Sequence, residues 1–254
     1  MAGFRLDDLG DGVVALRADP ASADAPEDLV EHALTAGARR VEAEVAADEH
    51  DLRRRLQRAG LRPEGLSRGR GRTAAGEPLD VLRLARLHDD PPPGTRASHL
   101  ALLNAALPLK RVIAQGLVTD GHDRVLLCEL TYKQEWDLPG GVVDPHESPA
   151  FAVRREIGEE LGVDLPVRRL LVVDWLPPYR QWDDALLLGF DLGEHPGLVE
   201  EAVLEAAEIR AVHWCGPEEV AARMAPYAAR LVGQLVQARA EGRVRYVEDG
   251  YPTG

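Results

Sequence analysis

The chain has 254 residues, of which 45 % are hydrophobic and 29 % charged, and it carries a formal net charge of −13. That length and composition fit a globular chain of one large domain or two smaller ones and exclude disordered and fibrous classes. The negative charge excludes non-specific nucleic-acid binding, and the lack of both a membrane-length apolar run and a signal-type N-terminus excludes a membrane partner and predicts a cytoplasmic protein.

In chain order, "EDLVEHALTAG" (27–37) has helical spacing and a glycine stop, and "RRVEAEVA" (40–47) alternates as a strand does. "DEHDLRRRLQRAG" (48–60) starts at acidic residues, sets Leu52 and Leu56 four apart and ends at Gly60. "EPLDVLRLARL" (77–87) alternates again, so the predicted order is helix, strand, helix, strand. The arginines between Arg53 and Arg72 read as the exposed face of the second helix and of the hairpin after it. Three consecutive prolines and a glycine in "HDDPPPGTRAS" (88–98) mark a linker. The predicted division is an accessory domain at 1–92, a linker with a short helix at 93–109, and a larger domain at 110–254.

Past the linker, "ASHLALLNAALPL" (97–109) reads as the short helix, and "KRVIAQGLVTD" (110–120) and "DRVLLCELTY" (123–132) as two strands joined at Gly121-His122. "WDLPGG" (136–141) reads as a strand running into a glycine turn. Further strands are predicted at 167–176, 184–193 and 208–214, and helices at 216–225 and 226–241. Cys128 and Cys215 lie far apart and form neither a zinc knuckle nor a disulfide framework; Cys128 alternates inward as a core residue.

The chemistry concentrates in "HESPAFAVRREIGEELGV" (146–163). Ser148 can cap a helix that starts at Pro149 and stops at Gly162. On it Glu156 and Glu160 are four apart with Glu159 beside them, at the border of an apolar stripe of Val153, Ile157 and Leu161. Like charges at that spacing repel by about 0.2–0.5 kcal/mol per pair even when exposed, so a cluster at such a border calls for a cation. Several carboxylate oxygens on one rigid helix suit Mg²⁺, which prefers oxygen ligands and keeps waters for a phosphate partner. Arg155 can pair with Glu159 or with Glu147 and so orient the acids.

The segment resembles the signature of the Nudix hydrolases. Gly141, five residues, Glu147, seven residues, Arg155-Glu156, the aliphatic Ile157, any residue, Glu159-Glu160, any residue, Gly162 and the aliphatic Val163 fill every defined position. The resemblance runs from about 110 to about 225 and implies an α/β/α Nudix sandwich with a mixed sheet. It implies Glu156, Glu159 and Glu160 as ligands of Mg²⁺ (or Mn²⁺), with the Gly140 carbonyl as a further ligand and Glu147 and Arg155 in support. The implied reaction is hydrolysis of a diphosphate bond in a nucleoside diphosphate linked to another moiety, with Glu159 as the first candidate for general base and an acid of the 197–208 segment, such as Glu201, as the second. The alternative is a non-catalytic ligand sensor on the same fold; such proteins commonly lose box glutamates, and none is lost here.

For a small nucleotide-type substrate, the loop "WLPPYRQWDD" (175–184) offers Tyr179, Arg180 and Trp182 to stack a base and pair a phosphate, or else packs its own aromatics. Tyr132 and Lys133 are candidate phosphate contacts, while Trp136 reads as a core or rim residue and His146 as a solvent-facing loop residue. The N-terminal part resembles the last half of a GNAT acetyltransferase in its strand, its helix ending in Ala59-Gly60-Leu61 and its closing strand. That family's glycine-containing phosphate loop has no counterpart in "RADPASADAPEDL" (17–29), and its earlier strands are not read either. The expectation is therefore a smaller α+β, truncated and non-catalytic module that serves a homodimer or covers part of the catalytic site.

Overall fold

The computed structural model describes residues 3–253. The chain divides into two compact units, Met1–Pro108 and Leu109–Gly254.

The first unit opens with a hairpin of β1 (Gly3–Gly10) and β2 (Val13–Asp19), followed by α1 (Pro26–Thr35), β3 (Arg40–Ala46), α2 (His50–Arg58), β4 (Arg62–Arg72), β5 (Pro78–Leu87) and α3 (Arg96–Ala106). Its sheet has the order β1-β2-β3-β5-β4, parallel only between β2 and β3. The helices bring Val30, Leu34 and Leu56 onto Phe4, Val41, Leu61 and Leu84. Two expectations are corrected here. Strands do precede α1, because Phe4 and Leu16 alternate into the core of a hairpin whose turn residues Asp11 and Gly12 both have positive φ. The helix assigned to a linker belongs to this unit: α3, capped by Thr95, packs against β4. The arginines of the basic stretch pair with acids at the surface, Arg70 with Glu44, Arg62 with Asp90 and Arg54 with Asp51.

The second unit contains β6 (Arg111–Thr119), β7 (Val125–Leu130), β8 (Gly140–Val142), α4 (Pro149–Leu161), β9 (Arg169–Leu176), β10 (Ala185–Glu194), α5 (Leu198–Glu201), β11 (Ile209–Cys215), α6 (Pro217–Arg223), α7 (Pro226–Glu241), β12 (Arg245–Glu248) and β13 (Tyr251–Pro252). The mixed sheet has the order β11-β7-β6-β10-β9-β12-β13, with β8 paired to the start of β6. Strand β7 shows why it is covered on both faces: Val125 and Leu127 join one apolar cluster, and Leu126, Cys128 and Leu130 join the other. Helix α7 closes the first face with Leu231, Val232 and Leu235, and α4 closes the second with Ala152, Val153, Ile157 and Leu161. Each fully buried side chain of that kind stabilises the sandwich by about 1.5–3 kcal/mol. Among the described residues no helix is long and apolar enough to cross a membrane.

Candidate active site

Helix α4 is built as its sequence requires. Ser148 Oγ accepts the Phe151 N–H at 3.3 Å, Pro149 occupies the first turn, and Gly162 closes the helix at φ +68°. The strand expected within 136–141 is short and starts at the glycines themselves, as β8. Trp136 and Asp137 make only isolated bridges, to Met224 and Cys128, because Pro139 breaks the ladder.

Gly140 sits at φ +124°, where a Cβ would stand 2.3 Å from the Ala114 carbonyl oxygen, so no other residue lets β8 lie against β6. A Cβ on Gly141 would meet the Glu156 carboxylate at 2.5–3.0 Å, and the bare backbone there leaves that space to the acid.

Arg155 does both things the sequence left as alternatives. Its guanidinium grips Glu147 through Nη2 at 2.8 Å and Nε at 3.2 Å, and reaches Glu159 through Nη1 at 2.8 Å. It also lies 3.1 Å from Glu156. Hydrogen bonding to Arg155 is the main reason the Glu147 carboxyl is held below its ordinary range, with the Asp144 N–H assisting at 2.8 Å. The three box acids are therefore not equivalent. Glu159 points outward, Glu156 is mostly covered, and Glu160 is buried with 7 % exposure.

Glu160 accepts one hydrogen bond, from the Gly140 N–H at 3.0 Å. Burial pushes its carboxyl up to about 8, and the charges of Glu156, Glu208 and Asp137 push the same way. Glu156 is raised too, first by burial and further by Glu159 and Glu208, against the pull of Arg155. A buried carboxylate with acids for neighbours is costly unless a cation joins it. The donors are all hard oxygens, which fits a divalent cation of the Mg²⁺ type. Among the described residues no three His, Cys, Asp or Glu side chains form a ready-made cage for an ion. Glu159 is instead paired with Arg155. At Gly140 the contact to a box acid runs through its N–H.

The other predicted residues are placed as follows. Tyr132 is 71 % exposed, and partial desolvation is the first cause that raises its hydroxyl, opposed by Lys133 and reinforced by Asp137, Glu160 and Glu208. Lys133 donates to Asp137 at 2.7 Å; burial lowers its pKa, but Asp137 outweighs burial and the net shift is upward. Tyr179 packs against Tyr227 with ring centroids 5.1 Å apart, Arg180 pairs with Glu135 at 3.0 Å, and Trp182 lies under the Arg111 guanidinium at 4.9 Å. Tyr179 thus spends its ring on the protein itself, while Trp182 stays 65 % exposed. Trp136 is stacked on His213 at 4.2 Å with Arg223 over its ring at 4.9 Å, forming part of a groove that continues past Tyr132, Lys133 and Arg210. His146 is exposed and adopts φ +73° in the box loop.

Two acids of the 197–208 segment are placed differently. Glu201 turns back toward Gly197 at the one-turn α5, whereas Glu208 is the residue whose charge bears on Glu156 and Glu160. Its strand-end position is fixed because the Thr131 N–H donates to the Glu208 carbonyl at 2.9 Å. Sequence reasoning also missed Asp137 and Gln115, which lie outside the signature.

Comparison with known proteins places this site in context. The profile of the NUDIX domain matches residues 109–235. A MutT-like protein of Streptomyces ambofaciens is 33 % identical over 129 residues, 50 % of this chain and 79 % of that one. An 8-oxo-dGTP diphosphatase of Proteus vulgaris is 35 % identical over 63 residues, 23 % of this chain and 56 % of that protein. A crystal structure of a MutT protein from Methanosarcina mazei Go1 aligns at TM-score 0.44 and 21 % identity, over 54 % of this chain and 99 % of that one.

Proposed function

From the premise that this chain belongs to the Nudix family, as a pyrophosphohydrolase of the Nudix type, we propose that it cleaves a diphosphate bond in a nucleoside diphosphate linked to another group. Nudix hydrolases generally depend on a divalent metal, usually Mg²⁺. In this chain Glu156, Glu159 and Glu160, with the Gly140 carbonyl, would hold Mg²⁺ or Mn²⁺. Bound there, the ion would neutralise the diphosphate and lower the pKa of the attacking water.

The chain's own groups do the remaining work. Gly140 and Gly141 leave room for the acids, and the Gly140 N–H fixes one oxygen of Glu160. Arg155 holds Glu147 and Glu159 in one orientation and restrains Glu156. Glu159, exposed and held through only one of its oxygens by Arg155, is the first candidate for general base, and Glu208 takes the place that Glu201 held as the second. Lys133 and Tyr132 stand at the mouth as phosphate contacts. Tyr179, Arg180 and Trp182 remain the candidate base and phosphate contacts; stacking on Tyr179 requires its contact with Tyr227 to open, whereas Trp182 is 65 % exposed.

The observation that carries this reading is Glu160, buried among acids on a complete signature helix. The diphosphatase name of the Proteus vulgaris relative favours a nucleotide substrate over the ligand-sensor alternative. A panel of 8-oxo-dGTP, dGTP, CTP, UDP-glucose and ADP-ribose with Mg²⁺, resolved by chromatography, tests it. The expected products are a nucleoside monophosphate and the complementary phosphate fragment from at least one of them. No cleavage across the panel, or cleavage unchanged by EDTA, rejects the proposal.

For the first unit we propose a GNAT-like accessory module without acetyl transfer. Its order β3-α2-β4-β5 supports the likeness, as do the two strands ahead of α1, and the stretch 17–29 before α1 has no glycine.

A further inference from the structure

The loop between β7 and β8 carries a chain of hydrogen bonds that the reaction above leaves unused. Gln115, in the middle of β6 and buried, donates Nε2 to Asp137 Oδ1 at 2.8 Å. The Leu138 N–H donates to the same oxygen at 3.0 Å. The Asp137 backbone is paired to Cys128 in both directions, at 3.1 and 2.8 Å. One carboxylate oxygen is thus fixed by the scaffold, and the other, Oδ2, accepts Lys133 Nζ at 2.7 Å.

The residue at this position is an aspartate, and the amide alternative separates its two roles. An asparagine there could accept from Gln115 and Leu138 equally well through its carbonyl oxygen. What only the carboxylate adds is a charge-assisted bond to an ammonium. Lys133 keeps 34 % of its side chain exposed and has three donors, of which Asp137 takes one. A lysine already fixed on the protein side surrenders less rotamer freedom when it meets an anion.

We propose that Asp137, backed by Gln115, is a positioning residue that fixes the Lys133 ammonium to receive the phosphates of the substrate. The assignment rests on the pyrophosphohydrolase reading and deepens it: the chain supplies a preset cation for a diphosphate, in addition to any metal.

The test is a double-mutant cycle on the full-length chain in Mg²⁺, with the panel nucleotide that the wild type turns over fastest. Asp137→Asn and Lys133→Met are each expected to raise KM about tenfold, the scale of one charged hydrogen bond, with kcat within about threefold. The double variant should be no worse than the worse single one. If the single effects multiply, or if Asp137→Asn lowers only the melting temperature, the positioning role is refuted. Should Asp137→Asn not fold, Gln115→Leu serves in its place: it should raise KM in the wild-type background and leave it unchanged beside Lys133→Met. An equal rise in both backgrounds refutes the role. Glu160→Gln runs alongside as the control that separates the two claims. A dead Glu160→Gln with no Asp137–Lys133 coupling sinks only the positioning role, and an active one sinks the reading beneath it.

Discussion

Arg86 in the first unit and Glu160 in the second are both ionisable and almost fully buried, at 4 % and 7 % exposure. Their surroundings are opposite. Arg86 reaches the surface carboxylate of Glu31 at 2.9 Å and the Ala59 carbonyl at 3.5 Å, so its charge meets an opposite one within the chain, although its Nε has no partner among the described residues. Glu160 has one backbone N–H, while Glu156, Glu208 and Asp137 all add negative charge around it. The Arg155 guanidinium that could have answered it is committed to Glu147, Glu156 and Glu159. A buried ion paired within the chain belongs to the architecture; one left among like charges requires a partner from outside the chain. The difference agrees with the proposed site in the second unit without appeal to any motif.

Two substitutions sharpen the contrast. Glu160→Gln keeps the shape and the Gly140 contact but removes the charge, and it should lower kcat by about 10²–10³, the scale of losing a principal electrostatic stabiliser. Turnover within a few-fold of wild type on the best nucleotide breaks the comparison. Arg155→Ala leaves Glu160 in place and frees its neighbours to repel one another. Loss of such an orienting contact should cost about 10–10² in kcat/KM, with Arg155→Lys in between because an ammonium cannot reach three carboxylates at once. An Arg155→Ala enzyme with unchanged kcat/KM would show that the orientation of Glu147 and Glu159 does not matter.

Much of the second unit was legible because its signals are strong and local. The cap at Ser148, the stop at Gly162 and the alternation through Val125–Leu130 each follow from residue type and spacing. What was not read has two physical causes. The first is short hairpins: β1–β2 turns at Asp11-Gly12 and β12–β13 at Asp249-Gly250, with all four residues at positive φ. Asp-Gly is a strong turn signal, but the flanking strands are polar or only two to four residues long, and tertiary contacts complete them. The Arg230 Nε donates to the Asp249 carbonyl at 2.7 Å, and Gly250 donates to the buried Asp174 at 3.2 Å. The second cause is pairing across distance. That Glu208 and not Glu201 bears on the box acids, and that Asp137 links Gln115 to Lys133, depends on how loops return to the end of the sheet. No local periodicity encodes either.

The central claim, that Glu160 is held in wait for a divalent cation, is tested most directly by melting scans of wild type and Glu160→Gln in EDTA and in Mg²⁺. A carboxyl raised to about 8 in the folded state binds its proton more tightly folded than unfolded, so in EDTA the wild type should lose stability as pH climbs from about 5 to 8. Glu160→Gln should not share that part of the decline. At pH 7.5, Mg²⁺ at a hundredfold excess over Kd should stabilise the wild type by about 2.7 kcal/mol, a rise in Tm of roughly 5–10 °C. The variant should gain far less. A wild type that melts at the same temperature with and without Mg²⁺, or a Glu160→Gln variant that gains as much, would contradict the account.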